Sequence, residues 1–125
     1  MSNPAYAVKQ VLVLRKDLGM RTGKMVVQGS HASRRAVVPN QDNPLVIEWQ
    51  KDDVTSSIGL RVESEAELVA IYEAAQAAGL LCSLVEDLGF TEFHGVPTKT
   101  CVAVGPGLVE EVDLITGHLK TLWLS

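Results

Sequence analysis

Lys24, Gln28, His31 and Arg35 recur at i, i+4, i+7 and i+11 within the segment RKDLGMRTGKMVVQGSHASRRAVV, residues 15 to 38. On an α-helix each residue advances about 100°, so that spacing gathers all four within roughly 60° of arc. Two cations, an amide and an imidazole on one face can hold an anion and move a proton. With Asp87 as a carboxylate partner, the set suits hydrolysis by water and needs no covalent intermediate. His31 would take the water proton, Asp87 would orient the imidazole or the water, and Lys24 with threonine hydroxyls would face the developing negative charge. A solvated stripe on an amphipathic helix has the same spacing.

Other chemistries lack their residues. No G-x-S-x-G elbow is present, and Ser30 falls in mid-helix with no strained turn to present it. The three histidines, His31, His94 and His118, make no H-x-x-x-H pair, and Cys82 and Cys101 sit singly in apolar runs, so neither metal nor disulfide is expected. There is no Walker-type phosphate loop and no dinucleotide fingerprint, and no cofactor is expected.

Charge singles out the same stretch. Up to residue 35 there are seven basic residues against Asp17 alone, a net +6, while the other 90 residues carry four basic and 14 acidic side chains, a net −10. The overall −4 therefore conceals a basic segment suited to an anionic ligand, of which a phosphate backbone is the commonest. No apolar run approaches the roughly 20 residues of a membrane span. Residues 1 to 7, MSNPAYA, have no signal-peptide character, so the cytoplasm is the expected compartment.

The elements that must position these residues follow from periodicity. KQVLVLR (9 to 15) reads as a buried strand, and a helix runs from a Thr22 cap to about Val38, stopped by Pro39. Its arc Met25, Gly29, Ala32 and Ala36, with Val26, Ser30, Ser33 and Val37 beyond, is small enough to lie close on a sheet. Leu45 to Lys51 adds a helical turn with Trp49 as an apolar plug. SIGLRVE (57 to 63) is a strand, Ser64 to Glu67 a capping box, and the helix after it stops at Gly79. Residues 82 to 86 and 100 to 104 are strands, Gly105-Pro106-Gly107 is a turn, and a final helix uses Val109, Val112, Ile115 and Leu119. The expected fold is one compact α/β domain over residues 1–125, its ordered core at about 8–123. A four-stranded mixed β-sheet is flanked by helices in the order β-α-β-α-β-β-α. The connection from Asp87 to Lys99 is far longer than a hairpin needs, which marks it as functional.

Three segments, RKDLGMRTGKMVVQGSHAS, VEDLGFTEFHGVPTKTCVAVGP and EEVDLITGHLKTL, in this order, resemble the type 2 peptidyl-tRNA hydrolase family. The similarity covers about Lys9 to Leu122, and the chain is assigned to a bacterial-type branch with a divergent loop. The resemblance implies a compact α/β domain, often a homodimer, that cleaves the ester joining a peptide to the terminal ribose of tRNA without metal or cofactor. It matches Gly23-Lys24, Gln28 and Ser30-His31-Ala32. It also matches the loop aspartate and threonine at Asp87 and Thr91, but Phe90 stands where many members carry arginine. The family's later threonine falls on Thr98 or Thr100. The resemblance thus implies His31, Asp87, Lys24, Thr91 and Thr98 as catalytic, and Lys16, Arg21, Gln28, Arg34, Arg35 and Lys99 as contacts to tRNA, the implied partner. The rivals are an RNA- or protein-binding module of the same fold, favoured by the lost arginine, and a hydrolase of another acylated RNA or small ester.

Overall fold

A computed structural model describes residues 7–90 and 92–122. The apolar run near the N-terminus forms β1 (Val8–Arg15), the central strand of a five-stranded mixed sheet in the order β3-β4-β1-β2-β5. β2 (Ser57–Val62) runs parallel to β1; β4 (Thr98–Leu108) is antiparallel to both β1 and β3 (Cys82–Asp87). A central strand has both faces covered, which is why β1 reads as a continuous apolar run and not as an alternation.

Alternation along the strands sorts side chains into two layers. Leu14, Val85, Cys101 and Ala103 face α1 (Thr22–Val37) and pack with its Met25, Ala32 and Ala36. Val11, Val13, Val62, Val102 and Val104 face the other way, onto Leu68, Ile71 and Ala75 of α3 (Glu65–Ala77) and Val112 of α4 (Val109–Thr116). Fully burying each of these larger aliphatic side chains contributes roughly 1.5–3 kcal/mol relative to exposure, so this second layer is a strong apolar anchor. The short α2 (Pro44–Gln50) starts at Asn43, whose side chain accepts from the Leu45 N–H, and it buries Val46 and Trp49 against Val8 and Val37. The expected Trp49 plug is therefore present.

Local signals govern α3 as well. Ser64 Oγ accepts from the Glu67 N–H at 3.1 Å, and the Glu67 carboxylate accepts from the Glu63 N–H, one residue earlier than a reciprocal capping box has it. Gly79, with φ +74°, ends the helix in the left-handed conformation that glycine adopts without strain.

The structure corrects the expected architecture in several places. The sheet has five strands, because Lys120–Thr121, too short to leave a periodic signal, forms β5 along the edge of β2. The last helix ends at Thr116, before Leu119. Arg21, not Thr22, occupies the N-cap of α1 and makes no side-chain cap bond. Gly105-Pro106-Gly107 does not end β4: the strand carries an extra residue there relative to β1 and continues to Leu108. Only glycine fits at 105, where φ is +97° and a Cβ would lie 2.5 Å from the Lys9 carbonyl oxygen.

Candidate active site

Helix α1 meets the sheet on one arc and solvent on the other, and the polar stripe falls on the boundary. Taking Lys24 as 0°, the buried Ala32, Met25, Ala36 and Gly29 lie at about 80° to 140°, and Gln28 at about 40°. Gln28 is consequently pulled inside with 1% exposure, while His31 and Arg35, near 0°, stay exposed at the rim. Val26 and Ser30, expected toward the sheet, lie near 200° and 240° and face solvent.

Strand β3 supplies the acid. Ser83 and Val85 face α1, Ser83 Oγ donating to the Ala32 carbonyl at 2.6 Å, and two residues on Asp87 faces α1 as well. Asp87 Oδ2 accepts from Lys24 Nζ at 2.7 Å and from Gln28 Nε2 at 3.2 Å; Oδ1 accepts from the Gly89 N–H at 2.7 Å. The Lys24 ammonium bonded to it, helped by the Gly89 N–H and the Gln28 amide, holds the Asp87 carboxyl below its usual range despite partial desolvation. Lys24 Nζ also stands 5.7 Å from the Phe93 ring centroid, within reach of a cation–π contact.

A bulge in β4 completes the group. Val85 faces Cys101 and Glu86 faces Lys99, leaving Thr100 as an extra residue on β4. Simple alternation would send Thr100 to the α3 side with Val102. The bulge turns it toward α1 instead, where Thr100 Oγ1 donates to Gln28 Oε1 at 2.5 Å. That bond fixes which end of the Gln28 amide meets Asp87. Of the two threonines between which the sequence left a choice, Thr100 joins this cluster, while Thr98 Oγ1 donates to the Val96 carbonyl.

Beside this cluster lies a pocket of about 290 Å³, bounded by Lys24, Gln28, His31 and Arg35 on α1 and by Asp87, Leu88 and Phe90 on the other side. The four-residue stripe is thus one wall of one cavity. Asp87 is bonded to Lys24, Gln28 and Gly89, and the hydrogen bonds of its carboxylate do not include His31, so of the two expected tasks, orienting the imidazole or the water, the first has no direct contact here. Arg21 lies 3.8 Å from Glu92 and ties the start of α1 to the loop; Arg34 is exposed on the last turn but off the pocket wall. Lys16 is half-buried at the exit of β1. Lys99 does not join them: its ammonium lies 3.5 Å from Glu65 of α3, on the other side of the sheet. Thr91 lies outside the described residues.

A larger hollow of about 380 Å³ opens on the opposite side, between α3 and β5, floored by Val62, Ala70, Ile71 and Leu119. Its aliphatic floor is rimmed by Arg61, Glu63, Glu67, His118 and Lys120, with Arg61 3.3 Å from Glu63, and it lies on the face of the sheet away from Asp87 and the α1 stripe. The cysteines offer no nucleophile either, since burial pushes the Cys101 thiol up to about 12 and raises Cys82 as well.

The model of the family described as peptidyl-tRNA hydrolase PTH2 matches residues 8–122. The chain belongs to the PTH2 family. It is 44% identical over 117 residues to a Methanocaldococcus jannaschii protein named peptidyl-tRNA hydrolase, spanning 92% of this chain and all of that protein. To the protein of the same name from Thermococcus onnurineus it is 39% identical over 121 residues, 92% of this chain and 98% of that one. These PTH2 relatives are archaeal, so the assignment to a bacterial-type branch gains no support. Among solved structures, a protein of unknown function from Agrobacterium tumefaciens aligns over 94% of this chain and 99% of its own with a TM-score of 0.64 at 12% identity, a likeness of fold alone. Lys24, Gln28, His31 and Asp87 of this PTH2 chain, which sequence reasoning grouped, line one pocket. That reasoning left Thr100 undecided and gave Phe93 no role. The available signal for Thr100 was its neighbour Cys101, whose apolar run leaves a buried hydroxyl in need of a partner.

Proposed function

We propose that this chain hydrolyses the ester bond between a peptide and the terminal ribose of tRNA, with the pocket beside α1 as its reaction centre. The observation that carries the proposal is the Lys24–Asp87 ion pair, locked by Gln28 and Thr100 in a pocket that also presents His31. In this reading the imidazole takes a proton from water as the water oxygen attacks the ester carbonyl carbon. The Lys24 ammonium, held in place by Asp87, lies against the charge developing on the carbonyl oxygen. The bond to the ribose oxygen then breaks, and the proton passes from His31 to that departing oxygen. Asp87 acts by fixing Lys24 and the Gln28 amide, not by orienting the imidazole. Thr91 and Thr98 contact the carbonyl or ribose, and Arg35, Arg34, Arg21 and Lys16 follow the phosphates; Lys99 is left out of that track.

Family resemblance extends the proposal to a homodimer working in the cytoplasm. No helix among the described residues is long and apolar enough to cross a membrane. Sedimentation of the purified protein tests the dimer. The activity is tested by incubating the purified protein with peptidyl-tRNA and following peptide release. Wild type releases the peptide, and His31→Ala, altered at an exposed position, folds but turns over roughly 10² to 10⁴ more slowly, the usual share of a general base. Binding of tRNA without release would make the chain a binding module instead.

A further inference from the structure

The loop after β3 carries two phenylalanines with opposite placements. Phe93 is half-buried, packs with the core beneath α1 and lies near Lys24. Phe90 is 84% exposed, more than any other large apolar side chain among the described residues, and it forms part of the pocket wall. A ring left in water on a slack loop would mean little. This one stands on a clamped turn. The residue before it, Gly89, donates its N–H to Asp87 Oδ1 at 2.7 Å and accepts on its carbonyl from the Gly95 N–H at 2.7 Å. Gly89 holds φ +87°, and a Cβ there would sit 2.5 Å from the Val96 carbonyl oxygen, so the two limbs of the loop touch at this point. The backbone that presents Phe90 is fastened to the same carboxylate that holds Lys24.

We infer that Phe90 is a stacking platform for an unpaired nucleobase at the 3′ end of the RNA, next to the nucleotide whose ester is cleaved; this rests on the hydrolase reading above. The pocket lining and the chemistry of such a substrate together favour a base over its other parts. A phenyl ring cannot take a phosphate, but the exposed Arg35 guanidinium lines the same pocket and can. A nucleotide joins base to phosphate through one sugar, so a phosphate at Arg35 leaves its base within the pocket that Phe90 walls. The base, moreover, is common to every substrate, whereas the peptide side chain next to the ester varies, and a fixed ring would make the rate depend on it. Stacking on an aromatic ring is tolerant of base identity and contributes substantially to single-strand binding. The pocket thus holds its RNA end by a ring and a cation together.

The test uses an acceptor-stem minihelix without a peptide, a second minihelix whose penultimate nucleotide, the one next to the terminal ribose, lacks its base, and the variants Phe90→Ala, Phe90→Leu and Phe90→Trp. Dissociation constants are measured at one fixed salt concentration. The expected result is that Phe90→Ala and Phe90→Leu weaken binding of the intact minihelix roughly 5- to 100-fold. Phe90→Trp binds as well as wild type or better, and its indole fluorescence is quenched on binding. Against the abasic minihelix the differences between wild type and Phe90→Ala should vanish. Affinity unchanged in Phe90→Ala, or fully kept in Phe90→Leu, would overturn the platform. So would a Phe90→Ala defect confined to peptidyl-tRNA and graded by the peptide, which would make the ring a peptide contact. Those failures are distinct from failure of the hydrolase reading, which shows as absence of peptide release by wild type whatever stands at position 90.

Discussion

The two faces of the sheet are built differently. On the α3 and α4 side, Val11, Val13, Val62, Leu68, Val102, Val104 and Val112 form an aliphatic layer. On the α1 side, buried polar groups interrupt the packing: Gln10 bonds Ser33 and the Gly105 carbonyl, Ser83 bonds the Ala32 carbonyl, and Gln28 bonds Thr100 and Asp87. A buried polar group costs free energy unless it is paired, so each of these needs a partner of fixed geometry. The aliphatic face tolerates repacking and contributes stability. The α1 face gives up part of that contribution and gains defined positions for Lys24 and Asp87. If the pocket beside α1 is the reaction centre, as proposed, stability and chemistry belong to opposite sides of one sheet, with β1 and β4 shared.

That division can be broken most severely from the aliphatic side. Leu68→Ala, at a fully buried position, should lower unfolding free energy by about 2–5 kcal/mol in a denaturant titration, while peptide release per folded molecule stays near wild type. A matching loss of intrinsic activity would show the two faces to be coupled. Next, Thr100→Val should cost about 1–3 kcal/mol, because Gln28 Oε1 is left buried without a donor. Unlike Leu68→Ala it should also slow turnover, since the Gln28 amide is then free to flip away from Asp87. A change in stability with no change in rate would reduce Thr100 to a packing residue.

The smallest effect lies at the rim. Arg35→Ala should flatten the dependence of log affinity for tRNA on log salt by roughly one unit or slightly less, the share of a single phosphate contact. An unchanged slope, read from binding isotherms at several salt concentrations, would remove Arg35 from the phosphate track and with it the anchor next to Phe90.

Much of this arrangement was legible in the chain because it is local. The apolar run of β1, the Ser64 cap, the Gly79 stop and the small-residue arc of α1 each determine their own element. The stripe Lys24, Gln28, His31 and Arg35 follows from helix period alone. What the chain did not display depends on contacts between distant segments. Thr100 is turned toward α1 only because β4 carries one more residue than β3 opposite it. The two-residue β5 exists only as a partner for β2. The sheet selects which arc of α1 is covered, and helix period cannot say that Gln28 goes in while Val26 stays out. The Lys99 ammonium lies beside Glu65 for the same reason: strand register, not position in the loop, decides its side.

Asp87 tests the central claim most directly, because an amide keeps its shape and loses its charge. Its carboxyl titrates below the ordinary range, so the stability it lends is present above about pH 4 and is lost as pH falls through the lowered value. The stability gap between wild type and Asp87→Asn should therefore close on acidification. The decisive measurement is single-turnover peptide release by Asp87→Asn at neutral pH, alongside its affinity for deacylated tRNA. If Asp87 fixes Lys24 for catalysis, the rate falls by orders of magnitude while tRNA binds at least as tightly as to wild type. A full single-turnover rate would contradict the account and leave the cluster beside α1 a structural one.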